Sequence, residues 1–269
     1  TADTPLQVDQ IAHLNWNGRD VTFSNIGTLD AYSQSTSFLV QSQPNNFPTL
    51  KFEKIETVNI NAGRNLGIQI AASADISQDK KYTPLYVSDV TNFNVSGAYA
   101  GIQLSNQSNG GQYTGSANFN VYIPADNINI TGDTKYGIQA EFTSKKNPKP
   151  SDLSIDLVSE NINIKGGDTA LFIKNPISGQ SPDKVTATLN ATKVTLTGNV
   201  TGNGSALTTS NGSVKIAADE LTLNGYKSIN TEESTGNNIE LSSRSDNSTI
   251  TVNSNGQVFL TDGSTLALN

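Results

Sequence analysis

The 269 residues include no cysteine and no methionine, and only one histidine and one tryptophan. Without cysteine there is no disulfide framework, no thiol nucleophile and no thiolate metal site. A lone histidine, His13, leaves no material for a histidine-based triad or a multi-histidine metal centre. With Trp16 it reads as part of an N-terminal cap over residues 1–20. Charge is sparse too: 15% of residues are charged and the net charge is -7. An acidic chain has no general basic footprint, so neither nucleic acid nor an anionic membrane is an expected partner. No apolar run approaches the roughly 18 residues needed to span a bilayer, so membrane insertion by this segment is not expected. The chain starts at Thr1, as expected where a signal peptide has been removed or where a tag has left its scar.

Cofactor loops are missing as well. The stretch "GNVTGNGSAL" (198–207) is Gly-rich but lacks the Lys-Ser/Thr of a phosphate loop and precedes no helical pattern. "SNGGQYTGSANF" (108–119) has the glycines of a calcium-binding nonapeptide without its aspartate. No cofactor and no metal are expected.

What the chain does have is self-similarity. "NINITGDTKYGIQ" (127–139) has relatives in "NINAGRNLGIQ" (59–69), "NVSGAYAGIQ" (94–103) and "NINIKGGDTALFI" (161–173). Equivalent apolar positions at Ile60, Val95, Ile130, Ile164, Leu196, Leu223 and Val252 are spaced by 35, 35, 34, 32, 27 and 29 residues. A repeat of about 32 residues runs through the chain, the mark of a solenoid. Within one unit, "DLSIDLVSENINIKGGDTALFIK" alternates apolar and polar positions in three short runs rich in branched residues and broken by Gly, Asn and Asp. That is a strand signal. Three short strands cannot bury an apolar face alone, but stacked at about 4.8 Å per rung they enclose a continuous interior. The expectation is an all-β parallel β-helix over 21–269 with three-strand rungs. At roughly eight rungs it would extend about 40 Å.

Alternation also assigns columns. On the first face, Val58/Ile60, Phe93/Val95, Ile128/Ile130, Ile162/Ile164, Val194/Leu196, Leu221/Leu223 and Ile250/Val252 point inward. Between them Asn59, Asn94, Asn129, Asn163, Thr195, Thr222 and Thr251 point outward as an Asn/Thr ladder able to hydrogen-bond between rungs. Glycines close these strands at Gly63, Gly97, Gly132, Gly166, Gly198 and Gly225, where the corner is expected to need positive φ. On the second face Ile68/Ile70, Ile102/Leu104, Ile138/Ala140 and Leu171/Ile173 go inside, leaving Gln69, Gln103, Gln139 and Phe172 outside. A third outward column holds Lys51, Tyr86, Tyr122, Asp156, Thr188, Lys215 and Glu240.

Two candidate surfaces follow. Longer excursions at 71–84, 105–118, 143–151 and 174–183 leave the core at equivalent corners, a side often used for binding. They carry Lys80, Lys81, Lys145, Lys146 and Lys149 near the stacked Tyr86 and Tyr122, a set suited to an anionic glycan. The same residues in a bland role are solvated loop lysines and an ordinary cross-strand tyrosine pair. The second surface is the ladder of Asn59, Asn94, Asn129 and Asn163, a candidate for self-association. Sugar cleavage would need two suitably spaced acids. The outward columns offer none on neighbouring rungs, although Asp75, Asp79, Asp133 and Asp168 lie in loops and corners.

The outward ladders in "NINITG", "KVTLTG" and "ELTLNG", the absence of cysteine and the processed-looking start resemble the passenger domains of Gram-negative autotransporters, the type V secreted adhesins. The resemblance covers residues 20–269 in style and carries no subfamily motif. It implies a right-handed coil, an extracellular or bacterial cell-surface location, and a non-enzymatic part in adhesion, aggregation, biofilm formation or virulence. The implied partners are a host glycan, an extracellular matrix protein, or a second copy of the chain. The family also has a C-terminal membrane β-barrel, and the coil is expected to continue beyond the strand-like "STLALN". Protease passengers carry an additional domain with Gly-Asp-Ser-Gly, which is not found here. The competing readings are a β-helix polysaccharide lyase or hydrolase, including a tailspike-like depolymerase, and a purely structural stalk. Arg19, Arg64 and Arg244 stand on widely separated units, which disfavours an arginine-based lyase.

Overall fold

A computed structural model describes residues 6–9, 19–44, 46–72, 80–106, 118–142, 152–175, 184–232, 236–246, 248–252, 257–260 and 265–268. Wherever apolar and polar residues alternate within these stretches the chain is extended. In chain order the strands are β1 (Leu6–Asp9), β2 (Val21–Ser33), β3 (Phe38–Gln41), β4 (Leu50–Ala62), β5 (Leu66–Ala71), β6 (Lys81–Gly97) and β7 (Ala100–Ser105). They continue with β8 (Asn118–Gly132), β9 (Tyr136–Glu141), β10 (Asp152–Gly166), β11 (Thr169–Lys174), β12 (Lys184–Thr197) and β13 (Ser205–Ser210). The last are β14 (Ser213–Asn224), β15 (Lys227–Glu232), β16 (Asn238–Ser243), β17 (Thr249–Val252), β18 (Gln257–Phe259) and β19 (Thr265–Leu268).

Among the described residues, these strands pair with one another in parallel. One sheet runs β1-β2-β4-β6-β8-β10-β12-β14-β16-β19, with β17 also on β14; the other runs β18-β15-β13-β11-β9-β7-β5-β3. The chain crosses from the first sheet to the second and back on every circuit, which makes a β-solenoid of about six turns with rungs of about 32 residues. Short strands at each end make the outermost rungs partial, so complete turns are fewer than the eight rungs expected. β1, from the segment read as a cap, adds to the sheet edge with Leu6 opposite Leu29. His13 and Trp16 lie outside the described residues.

The three expected strands per rung merge into two, because the third-face run continues without a break into the first-face run. β4 carries both Phe52 and Val58/Ile60 toward the interior. The bend lies inside the long strand. In the first turns it is taken at Asn25, Lys54 and Asp89, with φ of 57°, 54° and 50°. Asn and Asp tolerate this left-handed region, whereas Lys54 occupies it against preference. At β8 the bend is one residue shorter, Tyr86 to Val90 facing Tyr122 to Ala125, and Pro124, with its fixed negative φ, occupies it.

The corner glycines serve a different purpose from the one expected. Positive φ among glycines is recorded at Gly202 and Gly236, not at Gly63, Gly97, Gly132, Gly166, Gly198 or Gly225. The constraint is space. A Cβ on Gly132 would land on the carbonyl oxygen of Tyr136, and one on Gly225 would stand 2.7 Å from the amide nitrogen of Ala206. At Gly97, Gly132, Gly166 and Gly198 the chain folds so tightly that backbone meets backbone, whereas at Gly63 the nearest atom is the Tyr32 hydroxyl at 3.1 Å.

The interior is the set of columns that alternation assigns. Val58, Phe93, Ile128, Ile162, Val194 and Leu221 are all buried in register, as are Ile68, Ile102, Ile138 and Leu171 on the second sheet. Phenylalanines knit the early turns together: Phe23 stacks on Phe52 at 5.7 Å, and Phe52 meets Phe93 edge-on at 5.9 Å. The last expected pair departs from the rule. Ile250 and Val252 are 44% and 42% exposed. β17 pairs with β14 alone, so no further described rung covers its inward side. The second-sheet residues expected outside also depart from it: Gln69, Gln139 and Phe172 are on the outer side of their strands yet buried.

Candidate functional site

The amide ladder forms on the first sheet. Asn59, Asn94, Asn129 and Asn163 stand in one register column with Gln7 and Asp30. Asn129 donates from Nδ2 to Oδ1 of Asn94 at 2.9 Å, Asn94 to Asn59 at 2.8 Å, and Asn59 to the Asp30 carboxylate at 2.7 Å. Asp30 has acceptors only, so it can stand only at the end where the donors point. Asn163 is in register and exposed but joins no amide bond among the described residues.

A second ladder runs beside it. Asn161 donates to Asn127 at 3.0 Å, Asn127 to Asn92 at 3.1 Å, and Asn92 to the Thr57 hydroxyl at 3.2 Å. The signal for it is in the sequence as a recurring Asn-x-Asn at 92–94, 127–129 and 161–163, of which only the second Asn was assigned a role. On the other side of the first ladder a shallow depression of about 270 Å³ lies between its residues and Asn61, Ser96 and Thr131.

The lysine and tyrosine set is only partly brought together. Lys80 is exposed, Lys81 opens β6, and Tyr86 and Tyr122 are register partners in the expected outward column. No ring contact joins those two tyrosines among the described residues, and Lys145, Lys146 and Lys149 lie outside them. The excursions at 73–79, 107–117, 143–150 and 176–183 also lie outside the described residues. Further along the same column, Lys215 pairs with Glu240 at 3.1 Å.

A third feature was not anticipated. On the outer side of the second sheet the register column reads Leu39, Gln69, Gln103, Gln139, Phe172, Thr208 and Asn230. Gln69 donates to Gln103 at 3.0 Å, Gln103 to Gln139 at 2.8 Å, and Gln139 to the Glu141 carboxylate at 2.8 Å. Beside it rings stack along the axis: Tyr99 meets Tyr136 edge-on at 5.9 Å, and Tyr136 lies against Phe172 at 4.9 Å. Half-burial of Tyr136, helped by nearby Tyr99 and Glu141, pushes its hydroxyl up to about 12.

At the next rung the rings stop. Phe172 is followed by Thr208, and the step opens a trough of about 430 Å³. Tyr136 and Phe172 border one end, Lys227, Asn230 and Glu232 the other, and the corner carrying Asn199 and Asn203 borders its side. That corner is the Gly-rich stretch noted in the sequence. It is pinned at its base, where the amides of Asn199 and Ser205 both donate to the Asp168 carbonyl at 3.0 and 2.9 Å. Gly202 turns it with a φ of 103°. The signal available in the sequence was the length of "GNVTGNGS" beside the shorter corners "GDTKY" and "GGDT".

The trough holds two carboxylates, and each is engaged. Asp168 accepts a hydrogen bond from Lys135 at 2.5 Å, which together with the charge attraction holds the ammonium above its usual range. Glu232 accepts from Asn230 at 3.3 Å, and Asn230 in turn accepts from Lys227 at 3.4 Å. These contacts fix polar groups around a hollow. Comparison of the chain with protein-family models, with curated proteins and with solved structures finds no match.

Proposed function

We propose that this chain is a segment of a secreted or surface-displayed bacterial adhesin of the autotransporter-passenger type, and that it acts by associating with a second copy of itself through the amide face of the first sheet. The observation that carries the reading is the pair of adjacent asparagine ladders on that outer face. A primary amide has two N–H donors and two acceptor lone pairs. The ladder uses one donor and one acceptor of each internal asparagine, so the rest are offered outward with the repeat of the rungs, about 4.8 Å. A second copy carries the same repeat and can meet it in register around a two-fold axis, each surface being its own complement. Single bonds of this kind add about 0.5–1.5 kcal/mol net, so strength comes from number, and a rod supplies number.

The test is clumping of cells that display the protein. Replacing Asn59, Asn94, Asn129 and Asn163 together by arginine puts long like charges on the face without touching the interior. Clumping is expected to be lost while the amount displayed and its far-UV circular dichroism stay unchanged. Clumping that persists rejects the amide face as the contact, and a parent protein that causes none rejects the reading altogether.

A further inference from the structure

The trough on the second sheet is on a different surface from the amide face, and its shape follows from one step in the register. Rings follow one another along the outer side from Tyr99, just before β7, through Tyr136 on β9 to Phe172 on β11. The register partner of Phe172 is Thr208, and that of Thr208 is Asn230. Phe172 and Asn230 are therefore two rungs apart, about 9.6 Å at the usual strand spacing. A carbon framework seated on an aromatic ring sits about 3.5–4.0 Å from it. The chain supplies a threonine in the layer between them, and the trough of about 430 Å³ opens beside it.

What surrounds this missing layer is mostly polar. The Thr208 hydroxyl, on a residue only 2% exposed, and the Asn203 amide make no hydrogen bond to another described residue. Asp168, Lys227, Asn230 and Glu232 converge from the remaining sides. Pockets for apolar small molecules have mainly hydrophobic linings with a few polar groups, the reverse of this one. The carboxylates of Asp168 and Glu232 are balanced by the ammonium groups of Lys135 and Lys227, so no excess charge draws an ion. A ligand that suits this lining is ring-shaped, has an apolar face for Phe172, carries donors and acceptors around its rim, and is uncharged.

We infer that the trough is a saccharide-binding site that takes one uncharged pyranose ring, packed against Phe172 in the layer above Thr208, with its hydroxyls met by Asp168, Asn203, Asn230 and Glu232. The site is independent of the amide face, so a display variant that abolishes clumping leaves it intact.

The experiment is saturation-transfer NMR on the purified chain with the methyl glycosides of glucose, galactose, mannose and N-acetylglucosamine, beside galactose 6-sulfate and methyl sialoside. Transfer to the ring C–H protons of at least one neutral glycoside, unchanged by added salt, is expected. In Thr208→Phe the ring stack gains its missing layer and fills the trough, so the signal should fall to background while thermal stability holds or rises. Asn203→Ala, at an exposed corner, should reduce the signal without affecting the fold. Silence with all four neutral probes, transfer confined to the charged ones, or full binding by a folded Thr208→Phe overturns the proposal.

Discussion

The two sheets of this solenoid carry the same device on their outer sides and use it in opposite ways. On the first sheet asparagines hand hydrogen bonds toward the N-terminal rungs and end on the Asp30 carboxylate. On the second, glutamines hand them toward the C-terminal rungs and end on the Glu141 carboxylate. In each case an acceptor-only group fixes the direction of the chain of amides. The difference is water. Asn129 is exposed and Asn59 and Asn94 are half-buried, whereas Gln69 and Gln139 are 4% and 6% exposed. An amide ladder is thus a consequence of parallel register, and only its surroundings decide whether it is a surface or part of the interior.

The strongest way to break this comparison is to cut the buried ladder. Gln103→Ala removes the acceptor of Gln69 and the donor to Gln139 at once. A buried polar group left without its partner costs about 1–3 kcal/mol, so a loss of about 2–4 kcal/mol is expected in urea denaturation. Asn94→Ala makes the same double cut in the more open ladder, where the partners left behind, Asn59 and Asn129, are half-buried and exposed and water reaches both. Its expected cost is within about 1 kcal/mol. Equal losses in the two variants would mean that the sheets do not differ in the way their exposure indicates.

Tyr136 sharpens the contrast from the second sheet. An unperturbed tyrosine ionises near pH 10, and this one is held up to about 12 by burial and by neighbouring acidic groups. The folded state therefore keeps a proton that the unfolded state gives up. The contribution is intact below pH 10 and is lost as pH rises through the interval up to about 12. Absorbance titration of tyrosinate should show a late-ionising component that is missing in Tyr136→Phe, and the parent should lose stability over that interval more steeply than the variant. Identical titration curves would place the Tyr136 ring in water.

How much of this could be read in advance follows from what period-two alternation encodes. It tells inside from outside of a strand, so the buried columns from Val58 to Leu223 and the outward line from Lys51 to Glu240 were legible. It says nothing of what overlies an outer face, so Gln69 and Gln139 read the same as Asn94. It also cannot separate two reasons for a glycine. Gly132 looked like a conformational need and is a steric one, while Lys54 takes positive φ with no glycine to announce it. The trough depends on a difference between neighbouring rungs, Phe172 against Thr208. A search for what repeats passes over such a step.

The smallest effect isolates what an amide contributes that a charge does not. The column of Thr57, Asn92, Asn127 and Asn161 continues as Lys193 and Glu220, which form an ion pair at 3.3 Å in place of an amide bond. Both side chains are more than half exposed, at 53% and 63%, so solvent screens the attraction and holding two long side chains in one geometry offsets part of the gain. Lys193→Ala should change stability by no more than about 0.5 kcal/mol, and the difference should vanish in molar salt. The neighbouring Asn161→Ala cut, made in an uncharged link, should be insensitive to salt. If the two respond to salt alike, the amide ladder carries no character of its own. If they separate, the outer face has a salt-proof stretch from Thr57 to Asn161 and a salt-labile stretch beyond it. Homotypic contact that survives seawater-like ionic strength would then have to use the first stretch.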